Sequence, residues 1–530
     1  MFNLIPVYIL ALQLLNALNN VSCLMPRKIN PYQQVFKIML REPPINPNNT
    51  HKDYKEIKEK WLQQPLNHFD ANNTETWMMR YFVNDEFYQT GAPVFVFVGG
   101  EWEIFPHMLK SGHFYDMARQ QAAVMFYTEH RYYGQSWPRS NSSTNNLQYL
   151  NVLQSLADLK YFLTYQKSSA KALENSKVVL VGGSYSGSMV AWFMKLYPQM
   201  ADVAWASSAP LRAKMDFNEY LSLTMHSLQQ KGGVTCKQKL EEAFKGLVNI
   251  MQSSKMYSLL KRLKICQSFD TTNPLDRQAF FNGLGNYFAS LVQSYSSLIP
   301  QFCLTFTKLD LNPTEALIKY LTQLFSTSDE LKIREEEEWC LDFSYQGMQS
   351  IFTDVNEFKT GTRPWFYQTC HEFGWFSTTA NSISTANTVL TTPTSTSAAF
   401  GGQVPLSYFQ QLCQDVFGNF NNNAASVVGV ENLGHGKEPQ LLTVQQLQAR
   451  ALAINKLFGG FSNVSQHVIF THGLLDPWRA AGIQYGHNVL LIKDYSHVED
   501  MGSINLKDTV EMNVAKLKVA SFINRILRYH

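Results

Sequence analysis

The sequence predicts an α/β protein with a mostly parallel sheet, helices on both faces of that sheet, and a large helical insertion that bears disulfides. Two observations lead to this fold class. Short apolar runs alternate with helical patterns at 94–98, 123–127, 177–181, 203–206, 467–471 and 488–492, which is typical of parallel strands covered on both faces. Residues 211–440 have a helical periodicity and contain six of the seven cysteines.

The composition excludes several classes of protein. The chain has 530 residues, of which 45% are hydrophobic and 16% charged, and 45 basic and 42 acidic residues give a net charge of +3. Disorder requires low hydrophobicity and high net charge, and nucleic-acid binding requires a larger basic excess. No internal apolar run is long enough for a membrane-spanning helix. We therefore expect a large globular protein with no nucleic-acid partner and no stable membrane span.

Residues 1–23 are predicted to be a signal peptide. They contain no Asp, Glu, Lys or Arg, and their apolar part, Leu4 to Leu18, is short for a membrane span. Residues 21–23 are small enough for cleavage. An uncleaved anchor helix or a buried segment is the alternative. A signal peptide would place the protein in the secretory pathway, either secreted or in lysosomes or endosomes.

Changes in composition along the remaining chain suggest how it divides into segments. Residues 24–60 are polar and rich in Pro and Asn, and we expect them to form an N-terminal lead-in or propeptide. The first part of the α/β domain is predicted at 61–210 and its second part at 441–530, with the helical insertion at 211–440 between them. The last segment of the second part, 509–527, has the pattern of an amphipathic helix.

Cysteine count and glycosylation motifs agree with a secretory protein. Six cysteines remain if Cys23 leaves with the signal peptide, and an even number permits disulfides in 15 pairings. Because they contain no Cys-x-x-Cys pair, we expect no metal site and no cofactor. Glycans on the Asn-x-Ser/Thr motifs would supply polar surface. Those motifs are at Asn48, Asn72, Asn141 and Asn463.

The segment 177–198 carries the strongest chemical signal. An apolar strand leads into Gly182-Gly-Ser184-Tyr-Ser186-Gly, and a helical pattern follows until Pro198. Strand, tight turn and helix in this order are the context of a nucleophile elbow, in which the residues two before and two after the serine must be small. Ser186 replaces the usual glycine and is small. A glycine-rich turn that binds phosphate or only reverses the chain is the alternative.

An elbow serine needs an acid and a base later in the chain, in the order Ser, Asp or Glu, His. Asp476 lies in a turn after the strand at 467–471, and His497 lies on a loop after the next strand. Asp500 and Glu499 are rival acids, but they follow the histidine. We therefore predict Ser184 as nucleophile, His497 as general base and Asp476 as the residue that orients the imidazole.

An oxyanion hole should accompany this triad. The backbone N–H of Tyr185, directly after the nucleophile, is one predicted donor. The other is expected from the turn Gly99-Gly100-Glu101 after the strand at 94–98, with Gly100 as the donor. An ordinary strand-ending turn is the alternative for these glycines.

Several motifs resemble serine peptidase family S28, which includes lysosomal Pro-X carboxypeptidase, dipeptidyl peptidase II and thymus-specific serine protease. The resemblance extends from Trp61 to near the C-terminus, and the elbow is most similar to that of the thymus-specific branch. The motifs that carry it are Gly99-Gly-Glu101, Glu129-His-Arg-Tyr-Tyr-Gly-Gln-Ser136, the elbow at Ser184, Ala206-Ser-Ser-Ala-Pro210, Trp365-Phe-Tyr-Gln-Thr-Cys370, Leu475-Asp-Pro-Trp478 and His497-Val-Glu-Asp-Met501.

The resemblance implies an α/β-hydrolase fold with a helical cap inserted between nucleophile and acid, and it implies the same triad. Its characterised members cleave next to proline, at either end of a peptide. Trp375 and Trp478 are candidate walls of a proline-sized pocket, to which Glu101 is also assigned; core packing is the alternative for each tryptophan. The family further suggests that Cys370 pairs with Cys413, and since some members dimerise, a homodimer is left open.

Two residues depart from the family pattern. His472 stands where relatives often carry Asn, and Arg479 follows the predicted pocket residue Trp478. Either could alter specificity or the response to pH. The resulting hypothesis is a serine exopeptidase that hydrolyses short peptides, near proline, through an acyl-enzyme. A secreted carboxylesterase or lipase on the same fold, and a non-catalytic secreted homologue, are the alternatives.

Overall fold

The structure is a computed structural model that describes residues 27–45, 57–326, 339–379, 399–418 and 443–528. The predicted signal peptide and the motif at Asn48 lie outside these residues. The described strands are β1 (Arg27–Ile29), β2 (Lys58–Pro65), β3 (Thr76–Asn84), β4 (Val94–Val98), β5 (Val124–Thr128), β6 (Val178–Gly183), β7 (Val203–Ser207), β8 (Lys214–Asp216), β9 (Trp339–Leu341), β10 (Gly374–Phe376), β11 (Val468–Gly473) and β12 (Val489–Ile492).

The described α-helices are α1 (Pro31–Met39), α2 (His113–Gln120), α3 (Val152–Ser169), α4 (Tyr185–Leu196), α5 (Asn218–Gly232), α6 (Val234–Met251), α7 (Met256–Arg262), α8 (Pro274–Ser294), α9 (Ile299–Lys308), α10 (Pro313–Ser326), α11 (Tyr345–Ser350), α12 (Thr362–Gln368), α13 (Leu406–Phe417), α14 (Val444–Phe458) and α15 (Val510–Arg528). Short 3-10 turns follow several strands, among them Pro477–Ala481 after β11 and Glu499–Met501 after β12. The predicted amphipathic helix at 509–527 corresponds to α15.

In the described part of the chain, eight strands form the main sheet, in the spatial order β12-β11-β7-β6-β4-β5-β3-β2. Every neighbouring pair from β12 to β5 is parallel, and β3 is antiparallel to both of its neighbours. The carboxyl ends of the parallel strands therefore lie along one edge of the sheet. The predicted fold class, a mostly parallel sheet of the α/β-hydrolase type, is confirmed.

Helices cover both faces of this sheet because the strands are apolar on both faces. On one face, side chains of α2 and α15 share a core cluster with Phe97, Val181 and Trp205. The alternate strand residues, such as Val96 and Leu180, point to the opposite face and are completely buried. There α4 contacts β4, β6 and β7, and α3 contacts α4. The strand that precedes Ser184 is thus held between two apolar layers.

The chain divides into two compact units. The sheet unit comprises residues 40–215, 354–374 and 417–530, and the helical unit comprises 1–39, 216–353 and 375–416. The helical unit overlaps most of the predicted insertion at 211–440, but residues 354–374 belong to the sheet unit. Their aromatic side chains explain this: the rings of Trp365 and Phe373 lie 5.6 and 5.4 Å from the ring of Tyr185, at the start of α4.

Disulfides and an N-terminal segment stabilise the helical unit. One disulfide joins Cys236 to Cys303, and another joins Cys266 to Cys340. Each closes a loop of about 70 residues, and closing long loops lowers the entropy of the unfolded chain. Within the predicted lead-in, β1 pairs in parallel with β9, and α1 buries Tyr32, Val35 and Ile38. Residues 27–39 are therefore an integral part of this unit.

The remaining two cysteines of the mature chain, Cys370 and Cys413, are also disulfide-bonded. Their pairing with each other, which the family resemblance implies, stays a prediction. Among the helices that the structure describes, none is long and apolar enough to cross a membrane.

Candidate active site

The main chain at Ser184 has the conformation of a nucleophile elbow. β6 ends at Gly183, α4 begins at Tyr185, and Ser184 between them has φ +57° and ψ −132°. A positive φ is costly for a residue with a side chain, and such strain persists only where the surrounding structure maintains it. Here the Ser184 N–H donates to the Ser207 carbonyl of β7 at 2.9 Å. The half-buried serine is thereby held at the carboxyl edge of the sheet.

Small residues permit this turn, and one of them also closes it. A Cβ on Gly182 would lie 2.3 Å from the Ser186 carbonyl oxygen, so that no larger residue fits there. Ser186 is completely buried, and its Oγ donates to the Gly183 carbonyl at 2.8 Å and accepts from the Gly183 N–H at 3.0 Å. The departure from the usual glycine thus adds two hydrogen bonds across the elbow.

Asp476 and His497 form a buried hydrogen-bonded pair. His497 Nδ1 lies 2.9 Å from Asp476 Oδ2, and the exposed fractions of the two residues are 6% and 0%. Asp476 Oδ1 accepts from the backbone N–H of Trp478 at 2.9 Å. Burial alone would raise the pKa of Asp476, but His497 and these hydrogen bonds hold it below its ordinary value. The aspartate is therefore an anion that fixes the orientation of the imidazole.

The loops after β11 and β12 bring this pair together. Leu474 and Leu475 donate backbone hydrogen bonds to the carbonyls of Ile492 and Tyr495, at 2.8 and 2.9 Å. A Cβ on Gly473 would lie 2.3 Å from the Tyr495 carbonyl oxygen. Glycine at the end of β11 is therefore required for the two loops to approach each other. The predicted acid and base, 21 residues apart in sequence, meet because their strands are neighbours.

The end of β7 anchors the loop that carries His497. Ser208 Oγ accepts from the Val498 N–H at 2.9 Å, and Ser207 Oγ donates to Asp500 Oδ1 at 2.6 Å. Val498 has φ +51°, which is costly for a β-branched residue. These contacts hold the strained loop. They also place the rival acid Asp500 in a hydrogen bond with Ser207. No pattern in the sequence indicated this role for the two serines, although they form part of a family motif.

The hydroxyl of Ser184 contacts Glu101. Ser184 Oγ donates to Glu101 Oε1 at 3.4 Å, and Glu101 is only 3% exposed. Burial raises the pKa of Glu101 to about 7, against the lowering effects of a backbone hydrogen bond, of His497 and of Ser184. Ser184, His497 and Glu101 therefore belong to one site. The sequence assigned Glu101 to the substrate pocket, but not to a contact with the nucleophile.

The predicted oxyanion donors follow two neighbouring strands of the sheet, β6 and β4. Tyr185 is the first residue of α4, where an N–H has no partner within the helix. Gly100 follows β4, the neighbour of β6. A Cβ on Gly99 would lie 2.3 Å from the Thr128 carbonyl oxygen, and one on Gly100 2.7 Å from the Trp102 ring. Both positions of this turn therefore require glycine.

A buried polar network surrounds the side chain of Tyr185, the residue after Ser184. The hydroxyl of Tyr185 accepts from Gln368 Nε2 at 3.0 Å and lies 3.2 Å from His130 Nε2. Tyr133 donates to Gln368 Oε1 at 2.7 Å. His130 and Tyr133 belong to the family motif at 129–136, to which the sequence assigned no role. Their contacts connect this motif to the helix that begins at the elbow.

The predicted pocket tryptophans differ in their position. Trp478 is half-buried and its ring centroid lies 6.4 Å from that of His497, so it borders the pair of His497 and Asp476. Trp375 belongs to the helical unit, where it is 5% exposed on β10. The assignment of both residues to a pocket stays a prediction.

His472, which departs from the family pattern, is a buried neighbour of the acid. It lies on β11 and is 1% exposed, and neither of its ring nitrogens forms a well-aligned hydrogen bond. Burial lowers the pKa of His472 to about 4, although Asp476 opposes this effect. The imidazole is therefore neutral over most of the physiological range. Arg479 donates through Nε to the Leu474 carbonyl at 3.0 Å and does not depend on Asp476 for a partner.

The predicted glycosylation sites stay predictions. Asn72 and Asn463 are exposed. Asn141 is half-buried, and its side-chain oxygen accepts from Asn146 Nδ2 at 2.7 Å and from the Ser143 N–H at 3.0 Å. In the described ranges of the chain, no group of three or more His, Cys, Asp or Glu residues could hold a metal ion.

Comparison with known proteins identifies the family. The model of the family described as serine carboxypeptidase S28 matches residues 64–519. The chain is 29% identical to mouse thymus-specific serine protease, over 87% of this chain and 86% of that protein. It is 24% identical to human lysosomal Pro-X carboxypeptidase, over 89% of each. The resemblance seen in the motifs is confirmed. The chain belongs to the S28 family of serine carboxypeptidases and is a serine-type peptidase.

Proposed function

We propose that this protein is an exopeptidase that cleaves short peptides next to proline, with Ser184, His497 and Asp476 as its catalytic triad. The observation that carries the proposal is the buried pair of His497 and Asp476, 2.9 Å apart, together with a serine in a strained elbow that shares Glu101 with His497 as a neighbour. Structural roles alone do not explain this arrangement, because a positive φ at a serine and a buried carboxylate both cost free energy.

The chemistry follows from the positions of the three side chains. Ser184 Oγ attacks the carbonyl carbon of the scissile bond, and His497 Nε2 takes the hydroxyl proton. Asp476 keeps the proton of His497 on Nδ1 and stabilises the imidazolium that forms. His497 then returns its proton to the leaving amine, and an acyl-enzyme on Ser184 remains for hydrolysis by water.

Backbone donors would stabilise the developing charge. The N–H groups of Tyr185 and Gly100 are the proposed oxyanion hole, because both follow parallel strands that end at the same edge of the sheet. The two glycines before Glu101 pack closely against Thr128 and Trp102, which fixes the backbone that carries the Gly100 N–H. The half-buried ring of Trp478 beside His497 is the proposed wall of an apolar pocket.

The substrate class is inferred from the family and its named members. One relative is named a lysosomal Pro-X carboxypeptidase, and the family model is described as serine carboxypeptidase. We infer that this chain takes peptides with proline next to the cleaved bond. A digest of a synthetic peptide library, read by mass spectrometry, identifies both the end of the peptide that is shortened and the residue beside the cut.

Labelling with a fluorophosphonate probe tests the triad. Such probes react covalently with an activated serine. We expect the wild-type protein to be labelled and S184A to lose all labelling. The matched control is S168A, which removes an exposed serine hydroxyl from the surface of α3 and should leave labelling unchanged.

Two outcomes would contradict the proposal. Labelling that persists in S184A would remove Ser184 from the mechanism. Hydrolysis of p-nitrophenyl esters without cleavage of any peptide in the library would instead favour an esterase on the same fold.

We also propose that the protein acts in the secretory pathway, either secreted or in lysosomes. Three features support this location: the charge-free segment 1–23, the disulfides of the helical unit, and a relative whose name is lysosomal. Disulfides persist in oxidising compartments. The predicted homodimer has no support beyond the family resemblance and stays a prediction.

A further inference from the structure

We propose that Glu101 is a catalytic residue whose protonation state controls the nucleophile: as a carboxylate it retains the Ser184 hydroxyl, and as a neutral acid it releases that hydroxyl to His497. This inference rests on the proposed function, because it assumes that Ser184 is the nucleophile. It goes beyond the triad in adding a fourth side chain that touches a reacting atom.

The first argument is the competition for one proton. A serine hydroxyl has a single hydrogen to donate. In the structure, that hydrogen bond goes from Ser184 Oγ to Glu101 Oε1, at 3.4 Å. Attack on a substrate requires the same hydrogen to be directed at His497 Nε2. An ionised Glu101 is the stronger acceptor, so ionisation of Glu101 favours the resting arrangement over the reactive one.

The second argument is the charge that develops during the reaction. The transition state places negative charge on the substrate oxygen, close to Ser184. A carboxylate in contact with Ser184 Oγ would repel that charge, and burial makes the repulsion stronger than it would be in water. Glu101 is 3% exposed, and its Oε2 has no hydrogen-bond partner that would stabilise the ionised form. A protonated Glu101 carries no charge and would not repel the negative charge on the substrate oxygen.

The titratable groups that face Glu101 leave its ionisation sensitive to pH in the mildly acidic to neutral range. His497 faces it from the loop after β12, Tyr133 from the turn after β5, and Tyr185 from the start of α4. Burial raises the pKa values of both tyrosines well above their ordinary value, so both stay neutral. Burial also raises the pKa of Glu101 to about 7, in spite of His497 and the hydrogen bond from Ser184.

The reacting atoms balance without a proton from Glu101. Below its pKa, Glu101 keeps its own proton throughout. The proton of Ser184 passes to His497 Nε2, the bond between Oγ and the carbonyl carbon forms, and the carbon–nitrogen bond of the peptide breaks as His497 protonates the amine. Glu101 acts by presenting no negative charge and by leaving the Ser184 hydrogen free.

The test is the pH profile of kcat/KM for wild type and for E101Q, measured on one peptide substrate from pH 5 to 9. The amide of Gln is neutral at every pH. Wild-type kcat/KM should fall above pH 7, by about tenfold per pH unit when one ionisation abolishes activity. The profile of E101Q should show no such fall, so that the ratio of mutant to wild type increases at least fivefold between pH 6 and 8.5.

The matched control is E103Q, two residues further along the same turn. Glu103 is 25% exposed at its side chain and is paired with Arg80, at 3.4 Å. Its neutralisation should leave the alkaline fall in place. A second readout does not depend on a folded mutant: the rate of fluorophosphonate labelling of the wild-type protein should also fall above pH 7.

Three results would overturn the inference: an E101Q profile that superimposes on the wild-type profile after scaling, a wild-type labelling rate that rises steadily to pH 9, or an E101Q defect confined to a higher KM for peptides with a free amino terminus. The last would make Glu101 an anchor for the substrate amine. Failure of the proposed function is distinguishable, because it would appear as labelling that persists in S184A, independently of any pH profile.

Discussion

Ser186 shows how one side chain can support a strained turn. Its buried hydroxyl forms two hydrogen bonds with the backbone of Gly183, directly before the nucleophile. S186A would leave the backbone N–H and carbonyl of Gly183 without these partners. We expect the free energy of unfolding to fall by about 1–3 kcal/mol, and kcat to fall with it because Ser184 is less firmly held.

Urea unfolding of S186A, wild type and the exposed control S168A measures this effect. S186G should be at least as unstable as S186A, since it restores the usual glycine of the motif but not the hydrogen bonds. Equal stability of S186A and wild type would mean that the hydroxyl adds nothing to the elbow.

At the level of residues, the sequence predicted what is local and missed what is not. The elbow conformation at Ser184 was predictable because strand, small residues and helix are contiguous, and the pairing of Asp476 with His497 because both follow neighbouring strands. The contact between Ser184 and Glu101 joins residues 83 positions apart. The support of Val498 by Ser208 joins residues 290 positions apart. Contacts between residues this far apart in sequence leave no periodic pattern by which they could be predicted.

At the level of elements, the loop after β12 depends on the end of β7. Ser208 is the side-chain acceptor for the N–H of Val498, a residue with φ +51° that follows His497 directly. S208A removes this acceptor, and the strained loop should then sample positions in which His497 is misplaced. We expect kcat to fall by about tenfold, which corresponds to about 1.4 kcal/mol, with little change in KM.

Kinetics on a proline-containing peptide check this prediction. The matched control is S496A, in the same loop, because the hydroxyl of Ser496 has no hydrogen-bond partner in the structure. Its kcat should equal that of wild type. The role of Ser208 would be refuted by a normal kcat in S208A, or by an equal loss in both variants.

Among the elements, the parallel strands were predictable and the antiparallel edge strand β2 was not. The runs at 94–98 and 203–206 correspond to β4 and β7 because a strand buried on both faces must be apolar throughout. β2 is an edge strand, and most of its residues are exposed, so it contains no apolar run. Residues 354–374 join the sheet unit through aromatic contacts with the elbow helix, which a helical periodicity cannot reveal.

At the level of the whole molecule, length and composition excluded the wrong classes of protein but could not assign every segment. The lead-in at 24–60 was predicted from its polar composition. Part of it forms a strand that pairs with β9, more than 300 residues away, and a helix that buries three side chains. Long-range pairing of a short strand is determined by the partner, and three residues of sequence contain too little information to indicate it.

The buried titratable groups predict how stability depends on pH. Burial lowers the pKa values of His113, His130 and His472 to about 4, and it raises those of Glu101 to about 7 and Glu372 to about 8. The histidines are neutral when folded, but with an ordinary pKa of about 6.5 the unfolded chain still binds part of their protons up to about pH 7.5, so they cost stability only below that value. The two glutamates keep their protons in the folded state while the unfolded chain has lost them above about pH 4.5.

Between about pH 7.5 and 8.5, therefore, the carboxyl groups dominate among these five, Glu372 above all, and the folded state binds more protons than the unfolded state. Stability must then fall as pH rises, by about 1.4 kcal/mol per pH unit for each carboxyl that is still protonated when folded. Urea unfolding at pH 7.5, 8 and 8.5 should show this decline. In E372Q it should be smaller, because Gln has no proton to lose, whereas the exposed control E511Q should decline like wild type. A wild-type protein whose stability is constant or increases over this interval would show that Glu372 is ionised when folded.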